Sequence, residues 1–134
     1  MADKLHFSLV TPEREVVSGE VDQVVVPGTE GDFGVLPEHA PLMSTIRPGW
    51  LTVIEGSDET KIVIRGGFAE VTPEGLTVLA EEAALASELN ADEIAQEIQN
   101  AREDAADADT DKQRDTAQDR LEYLLVLQEA AKAA

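Results

Sequence analysis

Over the first eighty residues, apolar positions come in short β-branched runs cut by glycine and proline, the pattern of an all-β sandwich or barrel. Leu5, Phe7 and Leu9 share one face of a first strand, and Val24, Val25 and Val26 run up to a Pro27-Gly28 turn. Further strands are predicted over residues 42–46, 51–54, 61–64, 68–71 and 76–79. The breaks between them, at Pro48-Gly49, residues 55–58, Gly66-Gly67 and residues 73–75, carry the turn chemistry of a meander.

After Ala80 the period changes. β-branched residues nearly vanish, Ala, Glu, Asp and Gln take over, and the shift in composition predicts helix. Asn90 is placed as an N-cap, with Glu93 three residues on to close a capping box. Ala91, Ile94, Ala95, Ile98 and Ala101 then give one narrow apolar face. Residues 102–111 read as a polar connector, and Ala117, Leu121, Leu124 and Leu125 as the face of a second helix. The expected organisation is a β-sandwich over residues 1–86 and an antiparallel two-helix hairpin over 87–134, thinly packed enough to detach from the sandwich.

Composition narrows the function classes. The chain has 134 residues, 4% of them aromatic, so the core is expected to be aliphatic and an aromatic-lined ligand pocket is disfavoured. Net charge is -18, from 28 acids against 10 bases, which repels phosphate backbones and anionic headgroups. Neither nucleic-acid binding nor direct membrane insertion is expected, and no segment has the length of a transmembrane helix or the pattern of a secretory signal. Without cysteine there is no disulfide framework and no thiolate nucleophile or ligand.

Candidate chemistry is sparse. His6 and His39 are the only histidines and do not make a metal centre, and His39 beside Glu38 reads as a loop-fixing residue rather than a general base. Gly28, Gly31 and Gly34 recur every three residues, but Glu30 and Asp32 between them would repel phosphate, so the segment is expected to be a backbone with positive φ at two or three points and an acidic tip. Asp107, Asp109 and Asp111 imitate the start of a calcium loop, yet Lys112 and Gln118 stand where Gly and Glu are needed. The serines sit in no nucleophile-elbow pattern. No catalytic residue, metal ligand or cofactor is therefore assigned.

The run from Gly28 to Leu42, GTEGDFGVLPEHAPL, resembles the signature loop of the epsilon subunit of bacterial F-type ATP synthases. Arg47-Pro48-Gly49, the segment from Gly66 to Val71, the segment from Leu76 to Ala80 and the start from Leu5 to Thr11 extend the resemblance at the family's spacing. It implies a ten-stranded β-sandwich with a C-terminal two-helix hairpin, acting as a non-catalytic rotor subunit on the cytoplasmic side of the inner membrane and driven by protons. It also implies that Glu30, Gly31, Asp32 and Gly34 face the c-subunit ring, that His39, Ala40, Pro41 and Leu42 face the gamma subunit, and that the hairpin reaches the alpha/beta catalytic subunits.

In some relatives the hairpin senses ATP and blocks its hydrolysis. Leu89, Asn90 and Glu93 fall on the corresponding nucleotide motif, with Asn90 in place of its Asp and Glu93 in place of its Arg. Losing the cation that would neutralise phosphate argues against nucleotide sensing in this chain. The alternatives are an ATP-sensing inhibitory subunit, separable by calorimetry with magnesium and ATP, and a small enzyme using His39 with Glu38 or Asp32, separable by whether a cleft brings those side chains together.

Overall fold

In the computed structural model, which describes residues 3–133, ten strands precede a single 3-10 turn and two α-helices. The strands are β1 (Leu5–Val10), β2 (Glu15–Val21), β3 (Gln23–Gly28), β4 (Gly31–Val35), β5 (Leu42–Ile46), β6 (Gly49–Glu55), β7 (Asp58–Ile64), β8 (Gly67–Thr72), β9 (Gly75–Ala80) and β10 (Ala83–Leu85). Residues 86–88 form the 3-10 turn, and the helices are α1 (Ala91–Ala106) and α2 (Asp111–Ala133).

The strand order β10-β7-β6-β3-β5-β8-β9-β1-β2, with β4 on the free edge of β3, folds into a β-sandwich. One half is β10-β7-β6-β3-β4, the other β5-β8-β9-β1-β2, and they meet where Gly28 pairs with Ile46. Alternation decides what fills the space between them. Leu5, Phe7 and Leu9 of β1, Val24 and Val26 of β3, Leu51 of β6 and Val78 of β9 all point inward into one aliphatic cluster. Burial of each such side chain contributes about 1.5–3 kcal/mol, enough in sum to hold a domain with few aromatics.

The meander expectation is corrected. Tight turns do form the hairpins β1-β2, β3-β4, β6-β7 and β8-β9, but β1 also pairs in parallel with β9, and β5 pairs antiparallel with the distant β8. Turn residues specify neighbours along the chain, whereas these distant pairs are selected by closure of the core. Strands β2, β4 and β10 were not predicted. β2 interleaves its valines with Glu, Ser and Gly and lacks a clean alternation, β4 contains two glycines and β10 has three residues, so each depends on pairing with its neighbour to form.

The helices form a second layer. Ile94, Ile98 and Ala101 of α1 pack with Tyr123, Leu124, Leu127 and Ala130 of α2, and with Val63 of β7 and Ala86. Trp50 and Ala84 complete this cluster from the sheet, so the hairpin is docked on the outer face of the β10-β7-β6-β3 half. Two details differ from expectation. α1 runs on to Ala106, because exposed Ala and Glu favour helix without needing contacts, and the connector shrinks to residues 107–110. Leu125 is left 37% exposed while Tyr123 and Leu127 are buried, since α2 contacts both α1 and the sheet and turns a different arc inward.

Candidate functional site

At the β3-β4 corner the chain reverses through only two residues, Thr29 and Glu30, between the paired Gly28 and Gly31. Gly31 has φ 131°, a backbone that favours glycine. The expectation of several positive φ values is corrected: Gly28 and Gly34 are not in that region. Gly28 is small for another reason, close approach: a Cβ there would lie 2.8 Å from the Gly31 carbonyl oxygen, whereas one at Gly34 would meet only the movable end of the Gln23 side chain.

The acidic tip also differs from its expected form. Asp32 is not in a loop but in β4, where its Oδ1 accepts from Arg47 Nη2 at 2.5 Å. The same guanidinium donates through Nη1 to the Gly28 carbonyl at 2.5 Å, and the Arg47 amide donates to Pro27 O at 3.0 Å. Thr29 is held by its amide on Thr45 O and by its hydroxyl on Thr45 Oγ1. An exposed ion pair contributes at most about 1 kcal/mol, so this clasp sets the shape of the corner more than it stabilises the fold. Glu30 is then the carboxylate at the corner with no ion pair among the described residues.

Residues 36–41 link β4 to β5 along the surface. Glu38 has φ 66°, the His39 amide donates to Leu36 O at 3.1 Å, and His39 Nδ1 donates to Ala40 O at 2.7 Å. His39 therefore fixes a tight local turn, as its Pro-bounded context suggested, while Ala40, Pro41 and Leu42 remain exposed. Asp32 lines a cleft that includes neither Glu38 nor His39, so the residues considered for a small enzyme are not brought together there.

Sequence reasoning missed an exposed apolar stripe. Across β5, β8 and β9, Thr45 pairs with Phe68 and Phe68 with Leu79, while Val10 of β1 pairs with Leu79. Met43 lies two residues from Thr45 and shares its face. Met43 (66% exposed), Phe68 (52%) and Leu79 (53%) thus form a stripe on the outer face of the half that the hairpin does not cover. Leu42, 40% exposed, pairs with the buried Val71 and lies on the opposite face of β5 from Met43. The signal existed in the sequence, because Phe68 alternates with Ala69 and Val71, but it required knowing which face of β8 points outward.

At the hairpin, Asn90 Oδ1 accepts from the amides of Asp92 at 3.0 Å and Glu93 at 3.1 Å, the N-cap of α1. Leu89 packs against the hairpin cluster, and Glu93 is exposed. Residues 107–110 serve the second helix in a similar way, with Thr110 Oγ1 accepting from the Gln113 amide. Among the described residues no group of three or more His, Asp or Glu side chains is placed to hold a metal, and no helix is long and apolar enough to cross a membrane.

Residues 4–86 match the family model described as ATP synthase, Delta/Epsilon chain, beta-sandwich domain. The ATP synthase epsilon chain of Maricaulis maris is 58% identical over 87% of this chain and 88% of its own length. The chain belongs to the ATP synthase epsilon chain family. The epsilon chain of Hyphomonas neptunium, at 49% identity, aligns over 97% of this chain and 98% of its own, so the likeness includes the hairpin. Among solved structures, a chain of the Euglena gracilis mitochondrial ATP synthase OSCP/F1/c-ring assembly superposes with TM-score 0.82 at 24% identity, covering 97% of this chain and 82% of that one. A chain of the Tetrahymena thermophila mitochondrial central stalk and c-ring superposes at 0.70 and 16% identity, over 97% and 98%. Both share the fold, sandwich and helices together.

Proposed function

We propose that this epsilon chain is a non-catalytic adaptor of the rotor, joining the gamma subunit to the c-subunit ring and passing rotation between them. The observation that carries the reading is the inequality of the two outer faces: one is covered by the hairpin, and the other leaves Met43, Phe68 and Leu79 exposed in a row. Exposed apolar rows on a rigid sheet suit a lasting protein contact. In this reading the stripe and the adjoining His39, Ala40, Pro41 and Leu42 face gamma. The corner formed by Glu30, Gly31, Asp32 and Gly34 faces basic polar loops of the c ring, with Glu30 as the free charge and Asp32 shared with Arg47. The complex side is the cytoplasmic face of the membrane, reached through these partners.

Residues 1–86 and 87–134 act as two functional units in this scheme, with Ala86 belonging by its packing to the hairpin. In this scheme the hairpin does not sense nucleotide. Asn90 is occupied in capping α1, and the exposed Glu93 sets a negative charge where a phosphate would need a positive one. Calorimetry with magnesium and ATP is expected to show no binding in the millimolar range, and a saturating heat would restore the ATP-sensing alternative.

The adaptor reading is tested by Glu30→Lys, which reverses the free charge without touching the Arg47 clasp. Capture of the c ring is expected to weaken by about 1 kcal/mol, roughly fivefold, at low salt, with the difference fading as salt screens it. Equal capture at every ionic strength would remove Glu30 from the c-ring contact.

A further inference from the structure

The docked hairpin leaves a cleft of about 460 Å³ between α2 and the outer face of β3 and β6. Its walls come from both layers. Val25 and Pro27 of β3 and Trp50 of β6 line one side, and Leu125 and Val126 of α2 the other. The size and the apolar walls fall in the class of small-molecule sites. Leu125, the leucine that helical periodicity would have placed in the hairpin core, is turned into this space instead.

The rim sets the sign of a ligand. Glu122 and Glu129, seven residues apart on α2, both reach the cleft. Glu122 has no ion-pair partner among the described residues, and Glu129 has only Lys132 at 4.0 Å, at the limit of an ion pair. The one cation on the sandwich side, Arg47, is committed to Asp32 and the Gly28 carbonyl. An anion entering here would meet carboxylates, while a cation would be attracted to the rim and have the Trp50 ring beside it.

We propose that this cleft is a binding site for a small organic cation with an aromatic or branched apolar body, and that its occupant holds the hairpin in the docked position. Because the two walls belong to different layers, a molecule between them binds the docked arrangement and not the separated one, so it stabilises docking by mass action. The apolar body lies between Trp50 and Leu125, and the ammonium reaches Glu122 and Glu129.

Trp50 is the chain's single tryptophan and reports occupancy directly. The full chain is titrated with 3,3-diphenylpropylammonium, the matching neutral alcohol and the matching carboxylate, following Trp50 emission and amide exchange across α2. Saturable binding of the ammonium in the sub-millimolar range is expected, about tenfold or more tighter than the carboxylate, with slower exchange in α2. The double variant Glu122→Gln, Glu129→Gln should bring ammonium and alcohol to equal affinity, and Leu125→Asn should weaken both. These three side chains are exposed, and unchanged circular dichroism of the variants verifies that they fold. Equal binding of ammonium and carboxylate to the parent chain, or indifference to Leu125→Asn, would overturn the assignment. So would a basic amphipathic peptide that changes Trp50 emission where the ammonium compound does not, which would make the cleft a protein-docking groove.

Discussion

Replacing Phe68 by Thr removes the ring at the centre of the uncovered stripe while placing there a β-branched residue that suits strand β8. A phenylalanine offers about 150–250 Å² for burial, and Phe68 is 52% exposed, so about 100 Å² remains for a partner to cover. At about 25 cal/mol per Å² that surface is worth roughly 2.5 kcal/mol of binding, near 70-fold in Kd, less a few-fold for the methyl that Thr restores. The half of the ring already packed on Thr45 and Leu79 contributes to the fold, and its loss is expected to cost about 1 kcal/mol, a few degrees in Tm. Titration of purified gamma subunit against parent and variant, beside thermal melts of both, separates the two effects. A variant that melts within ten degrees of the parent, yet binds gamma within threefold of parent affinity, would show that the stripe is not the gamma-facing surface.

Two further outcomes follow from the hairpin. Leu124 is 2% exposed at the centre of the cluster that joins both helices to Val63, so Leu124→Ala is expected to cost about 2–5 kcal/mol, with helical circular dichroism lost at lower temperature than the sandwich and Trp50 emission moving to the red; a single transition of unchanged midpoint would refute it. Burial, with a smaller contribution from Glu82, pushes the Tyr123 phenol up from 10.0 to about 12. A raised phenol favours the folded state fully below pH 10 and loses that contribution as pH climbs toward 12. Alkaline titration should therefore show the chain's single tyrosine ionising together with loss of helix, and Tyr123→Phe should remove that step; ionisation near pH 10 with the helices intact would contradict the burial argument.

Much of the architecture is local and was readable from residue order. The alternation of Leu5, Phe7 and Leu9, the run at residues 42–46 and the Asn90 cap all appear where the pattern places them, because strand and helix periods are properties of a few consecutive residues. The family resemblance in residues 28–42 was legible for the same reason, being a contiguous string. Tertiary structure alone decided the rest. It turned Asp32 from an open acid into the partner of Arg47, fifteen residues away, and made strands of β2 and β4, which the pattern did not predict. It also chose which outer face the hairpin covers, leaving Phe68 exposed and Leu125 beside Trp50. Such choices depend on distant segments competing for the same surface, and no window of sequence contains both competitors.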